Sequence, residues 1–251
     1  MTPDDTTAIK PATKTRTIDS LVATGKGDDG TTGLLFGGPR IAKDDPRTEA
    51  YGTVDEAVAA LGLARAELGS KGQYGILNSA LASVAEVILR VQRELFVVGA
   101  ELATNPAAWD RLEDGRTRVS ASMVDDLTVL IEDLERRIEM PQEFVVPGET
   151  RTSAALELAR TTLRRAERRV VPLDREGLLP GEHLLPYLNR LADLVWVLAR
   201  AAEQAEARTS TPARSDGRRR ARPAPAPGGG PRSHQPAPSA RQHPQPGEQQ
   251  P

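Results

Sequence analysis

The chain has 251 residues, 38% of them apolar and 27% charged, with a net charge of −2 and no cysteine. That length allows one large domain or two small ones, and the apolar share lies below the usual globular level, so part of the chain is expected outside any core. The lack of cysteine excludes disulfides, thiolate metal sites, iron–sulfur clusters and a cysteine nucleophile; electrons for any redox step must be brought in from elsewhere.

Residues 1–20, "MTPDDTTAIKPATKTRTIDS", have no apolar segment of the kind a secretory signal needs and read as a disordered N-terminus. No window approaches 18 apolar residues, so nothing is expected to span a membrane and a cytoplasmic protein is expected. Residues 24–33, "TGKGDDGTTG", then spell G-x-G-x-x-G at Gly25, Gly27 and Gly30. A dinucleotide fingerprint needs a strand before it and a helix opening at its last glycine. The preceding "SLVA" is a poor strand, and the following "TTGLLFGGPR" is too rich in turn residues to begin a helix. A Walker A loop fails as well, because Thr31 stands where lysine is required. The composition still suits phosphate: glycines let backbone N–H groups approach its oxygens, Thr31 and Thr32 add hydroxyl donors, and Lys26, Arg40 and Lys43 add charge. On these residues alone, a nucleotide-binding arm and a merely flexible arm stand level.

Five helices follow. The first, within "DDPRTEAYGTVDEAVAALGLARAEL", opens with Asp45 as N-cap and Pro46 at the first helical position. Its apolar stripe is Val54, Ala57, Leu61, Ala64 and Leu68. In the second, Leu77, Leu81, Val84, Ile88, Val91, Leu95, Val98 and Leu102 alternate steps of four and three, and Asn105-Pro106 marks its end. The third starts after Ser120 or Ser122 and turns Val124, Leu127, Leu130, Ile131 and Leu134 inward. The fourth runs from about 153 to 170 and the fifth from about 181 to 205. With short connections and almost no strand-like alternation, the pattern predicts an all-α, antiparallel five-helix bundle rather than a doubly wound sheet.

The rest is tail. From Arg208 to Pro251 eight arginines face only Asp216 and Glu248, so this segment carries +6 and the remainder −8. It has no aromatic residue and little that could bury surface, so 207–251 reads as a disordered basic Pro/Arg/Gln-rich linker, expected to be dispensable for activity. Residues 21–206 form the folded domain.

Two helices carry polar lines beside their core stripes. On the fourth, the core line is Leu156, Ala159, Leu163, Ala166 and Val170; Arg160, Arg164 and Glu167 leave another face together, while Arg165, Arg168 and Arg169 read as solvated surface. On the fifth, the core line is Leu184, Leu188, Leu191, Val195 and Leu198, and Asn189, Asp193 and Trp196 share a second face. Two such stripes facing each other would form a cleft suited to a phosphate-bearing ligand, because guanidinium groups grip phosphate oxygens in pairs.

Three separated stretches then agree. "TGKGDDGTTGLLFGGPRIAKDDPRTEAYGTVDE", "FVVPGET" with "ARTTLRRAER", and "YLNRLAD" resemble, in order, the three motifs of the PduO-type ATP:cob(I)alamin adenosyltransferases, over about residues 22–203. The resemblance implies a five-helix bundle, a homotrimer with sites between subunits, and attack by Co(I) of a reduced corrinoid on C5′ of ATP with release of triphosphate, Mg²⁺ accompanying ATP. It carries ATP-binding roles to Thr24, Lys26, Gly27, Thr32, Gly33 and Lys43, and to Arg160, Arg164, Glu167, Asn189 and Asp193. Asp55 matches an acid that pairs with the arginine at Arg160 across the subunit boundary. Phe144 matches an aromatic that walls the lower face of the corrin and keeps the corrinoid's own base off cobalt. No protein side chain is assigned to a metal.

The reaction needs no general base, in keeping with the place of the histidines, His183, His234 and His243, outside all three motifs. An external reductant and a B12-dependent mutase as product acceptor are implied partners; nucleic acid is not expected as one. The chain departs from the family pattern at Gly25, Lys26, Val58 and Glu149, and Pro39 reads as an insertion. The alternative is a non-catalytic carrier that binds ATP or adenosylcobalamin and delivers the coenzyme to a mutase.

Overall fold

The protein is described here from a computed structural model covering residues 20–73 and 79–214. Leu77 of the second stripe, residues 1–19 and the tail beyond Arg214 lie outside the described residues. Asp45 does cap the first helix, α1 (Pro46–Gln73): its carboxylate accepts the Arg47 N–H at 2.8 Å. The helices that follow are α2 (Ser79–Ala103), α3 (Ala121–Arg137), α4 (Arg151–Arg175) and α5 (Leu184–Ala205). Ser120 caps α3 by accepting the Met123 N–H at 3.4 Å.

α4 begins earlier than the apolar pattern alone places it. Thr150 and Ser153 form a reciprocal capping box, which satisfies N–H groups of the first turn and fixes the start at Arg151. The helix also runs through Pro172 to Arg175; Leu173, 1% exposed, docks that last turn into the core. The Asn105-Pro106 break holds a short 3₁₀ turn, Pro106–Arg111, with the Asn105 side chain accepting from Ala107 N–H.

Every residue expected on the core lines of α1, α4 and α5 is buried, as are Leu81 to Leu102 of α2. On α3, Leu127 and Ile131 are buried, while Val124, Leu130 and Leu134 pack at its edge. The helices close one core, with α4 against α1 and α5, α2 against α1 and α5, and α3 against α5. α1 and α4 run antiparallel, marked by ion pairs from Glu49 to Arg169 and Glu67 to Arg151, with Glu56 and Arg165 paired between them. Exposed pairs of this kind contribute little each, roughly 0–1 kcal/mol; the apolar stripe beneath them does most of the stabilising.

Two charged groups inside this core have structural work. Arg47, 5% exposed, donates to the carbonyls of Leu102 and Leu178, tying the start of α1 to the ends of α2 and α4. Glu101, fully buried, accepts the Val119 N–H at 2.7 Å on one oxygen, while its other oxygen has no hydrogen-bond partner among the described residues. Burial pushes its carboxyl up to about 7.

Two small strand pairs decorate the bundle. β1 (Thr31–Thr32) pairs antiparallel with β2 (Ile41–Ala42) in the arm. β3 (Val145–Val146) pairs antiparallel with β4 (Thr211–Pro212), Val145 opposite Pro212. The second pair changes one expectation. Residues 207–214, read from composition as the start of the tail, turn back onto the domain, so a deletion from 208 onward removes a strand as well as a linker.

Candidate active site

α4 and α5 bring their polar lines together as the periodicity requires. Asn189 Nδ2 donates to Glu167 Oε1 at 3.1 Å at one end of the shared face. Further along, Arg160, Arg164 and Asp193 line a cleft of about 940 Å³. Its floor and walls include Trp196, Val197 and Ile131, with Met140 to Phe144 on the connection between α3 and α4 and Ala213 and Arg214 from the C-terminal segment. Phe144 is 90% exposed, a large aromatic side chain at the rim with almost no packing of its own.

Arg160 is not free. Its Nε donates to Glu157 Oε2 at 2.6 Å, and Glu157 Oε1 meets Arg200 Nη2 at 3.2 Å. Arg200, 0% exposed, also donates to Glu203 Oε1 at 2.9 Å, and Ser210 Oγ donates to Glu203 Oε2 at 2.5 Å. The Arg200 guanidinium lies 5.5 Å from the centre of the Trp196 ring. A buried run of alternating charges thus passes from the cleft to the C-terminal segment. Sequence reading missed Glu157, Arg200, Glu203 and Ser210. Their signal was charge inside apolar runs: Glu157 three residues before Arg160, and Arg200 and Glu203 three apart on α5.

Asp55 sits exposed on α1, with no side-chain partner among the described residues. The expected Asp55–Arg160 pair does not form within one chain, where Arg160 is held by Glu157.

The arm gathers elsewhere. Gly25, Gly30, Gly37 and Gly38 take left-handed backbone conformations, φ 69°, 81°, 81° and 93°. Lys43 N–H donates to Gly30 O at 2.9 Å, and the Lys43 ammonium lies over Gly27, where an added Cβ would come within 3.0 Å of Nζ. Gly27 leaves room for the ammonium there; a side chain would displace the flexible end of Lys43 and press on Thr31 O at 3.2 Å. Arg40 works as a brace: its Nε reaches Thr31 Oγ1 at 2.6 Å and its Nη2 the carbonyls of Lys26 and Thr31. The Thr31 hydroxyl, and then its N–H, hold the Asp29 carboxyl below its ordinary range. Lys26 and Lys43 have no ion-pair partner among the described residues. Thr24 is exposed with its Oγ1 near the Lys26 N–H, Thr32 is half-buried in β1, and Gly33 lies exposed beside Arg40. The arm is moored to the end of α2, where Leu35 exchanges backbone bonds with Ala103 and Asn105, and Gly38 sits so close to the Asn105 amide that any Cβ would collide with it. None of the arm residues lines the cleft.

Similarity to known proteins bears on both regions. The family model for cobalamin adenosyltransferase matches residues 22–202, which takes in the arm, α1 to α4 and all but the last three residues of α5. The corrinoid adenosyltransferase of Citrobacter freundii is 38% identical over 182 residues, 72% of this chain and 94% of that protein. That of Bacillus subtilis is 37% identical over 175 residues, 69% of this chain and 82% of its own length. Among solved structures, a phenylalanine-to-histidine variant of the PduO-type ATP:corrinoid adenosyltransferase from Lactobacillus reuteri, complexed with cobalamin and ATP, superposes with a TM-score of 0.66 at 29% identity, covering 77% of this chain and 97% of that one. With the family model matched over residues 22–202, across the glycine arm and the helical bundle, and with relatives 37–38% identical, the chain belongs to the cobalamin adenosyltransferase family.

Proposed function

We infer that this protein transfers the 5′-deoxyadenosyl group of ATP to the Co(I) centre of a reduced corrinoid, giving adenosylcobalamin and triphosphate. The observation that carries the reading is the cleft itself: Arg160, Arg164, Asp193 and the exposed Phe144 all line it. The cobalt electron pair forms the bond to C5′, the C5′–O bond breaks, and the pair from that bond leaves with triphosphate. Negative charge grows on the leaving group, so fixed cations aimed at it lower the barrier. Arg164, exposed at the cleft, and Lys43, held over Gly27, are the side chains we assign to that task, with Lys26 beside them. Asn189 and Glu167, joined to each other, orient the nucleoside end. Thr24, Gly27, Thr32 and Gly33 supply the arm's hydroxyl and backbone donors.

Phe144 has the character of a wall: apolar, exposed and unable to ligate cobalt. Against the lower face of a corrin it would exclude water and the corrinoid's own base, which eases reduction to the nucleophilic Co(I) state. Holding cobalt and C5′ in near-attack geometry supplies the rest. Among the described residues no cluster of acidic and histidine side chains could hold a metal alone, so Mg²⁺ is read as arriving on the triphosphate.

The arm and the cleft are separate in one chain, and both are needed. This supports a site shared between copies, which we read as a homotrimer in which the arm and Asp55 of one copy meet the cleft and Arg160 of the next. A cytoplasmic location, an external reductant and a B12-dependent mutase as acceptor belong to the same proposal. No helix among the described residues is long and apolar enough to cross a membrane. The test is direct: with ATP, Mg²⁺ and chemically reduced cobalamin, the corrin spectrum should convert to that of adenosylcobalamin. Folded protein giving no more product than the uncatalysed reaction would overturn the reading.

A further inference from the structure

We propose that Ser210–Arg214 is a positioning strap for the corrinoid face of the site, holding Phe144 through its backbone and Arg160 through the buried charge run. The proposal rests on the adenosyl-transfer reading for what the cleft binds.

Phe144 is 90% exposed, so side-chain packing does not set its place. Its backbone does. The Ala213 N–H donates to Phe144 O at 2.7 Å, and the next two residues pair with β4. At its other end the strap touches the charge run: Ser210 Oγ holds Glu203, Glu203 and Glu157 share the Arg200 guanidinium, and Glu157 holds Arg160 Nε. Arg200 and Glu203 are 0% and 1% exposed and Glu157 is 4%, so these links are shielded from water and their geometry is stiff. One five-residue segment therefore fixes both the apolar wall and the guanidinium of the same cleft, and Ala213 and Arg214 add to its lining.

The strap is peripheral to the core. Thr211 and Pro212 are exposed, and Ala213 contributes one backbone donor, so changing it leaves the bundle's apolar stripes untouched. Ala213→Pro in the full-length chain removes that donor and puts a ring methylene where its hydrogen pointed at Phe144 O, so it releases the strap from Phe144. We expect the KM for the corrinoid to rise by at least the roughly two- to tenfold that one lost backbone hydrogen bond sets. The KM for ATP and the melting temperature should stay at wild-type values. In ATP-loaded protein given cob(II)alamin, the fraction of cobalt lacking a lower axial ligand, read by electron paramagnetic resonance, should fall. Ser210→Ala should move the same two readouts in the same direction by about threefold, because Glu203 keeps Arg200.

Wild-type corrinoid KM and wild-type resonance spectrum in Ala213→Pro would overturn the proposal. So would parallel losses in both KM values and in melting temperature, which would mark the strap as a general stabiliser. Failure of the wild-type protein to make product would instead strike the adenosyl-transfer reading, leaving the two failures distinct.

Discussion

In the cleft, Arg160 is held from behind: it leans on Glu157, which leans on Arg200, fully buried between two helices. In the arm, Lys43 and Lys26 lie on an exposed ribbon shaped by four left-handed glycines, a two-residue strand pair and the exposed Arg40 brace. The first region is preorganised and costs little to keep in place during reaction. The second buries few apolar side chains, and segments of that kind open at low free energy. An enzyme that must admit a bulky corrinoid and ATP and then exclude water has use for both.

That division can be broken from either side. Leu163→Ala removes a fully buried side chain of the α4 core line and should cost about 2–5 kcal/mol of global stability in thermal or denaturant melts, while the KM for ATP below the transition holds. Glu101→Gln probes the buried bundle core, at the end of α2, through pH. A carboxyl raised from an ordinary 4.5 to about 7 binds its proton more tightly in the folded state, so it stabilises the fold at acidic pH. That contribution is lost as pH rises from 4.5 through 7, by about 3 kcal/mol in all. The glutamine variant keeps an oxygen for Val119 N–H and should flatten this fall, gaining stability over wild type at pH 8.

Arg164→Ala, in the cleft but exposed, should leave melting unchanged and lower kcat/KM for ATP by about 1.5–3 kcal/mol, roughly ten- to hundredfold. On the arm, Gly30→Ala meets no neighbouring atom, so its effect is the backbone penalty at φ 81°, about 1–2 kcal/mol, read as a raised KM for ATP with no change in melting. A melting shift in Gly30→Ala as large as that in Leu163→Ala would erase the distinction between the regions.

The helices were legible because their stripes repeat: steps of four and three placed Leu156 to Val170 and Leu184 to Leu198 on the buried faces they occupy. Helix ends were less so. Thr150 and Ser153 fix the start of α4 by a reciprocal cap that apolar periodicity does not register, and Leu173 carries the helix past Pro172. At the site, the meeting of Asn189 with Glu167 and of Arg160, Arg164 and Asp193 in one cleft followed from the two polar lines. The pairing partners did not. Glu157 and Arg200 meet across a helix interface, and Ser210 reaches Glu203 from a segment whose composition reads as linker; contacts between distant stretches have no local period. The Gly25–Gly30 pattern drew attention to the arm, and Gly25 and Gly30 do bend it, but the residues that brace and moor it, Arg40, Lys43 and Asn105, lie outside that pattern.

The central claim is a site completed between copies, with the arm of one chain serving the cleft of the next. It is tested at limiting ATP by mixing Lys43→Ala protein with Arg164→Ala protein, each reduced about tenfold or more alone, after dissociation and reassembly, and following adenosylcobalamin formation. Random reassembly pairs an intact arm with an intact cleft at roughly a quarter of the interfaces, so activity should return to about that fraction of wild type. A mixture no more active than its two components would contradict the account and put arm and cleft of each site in the same chain.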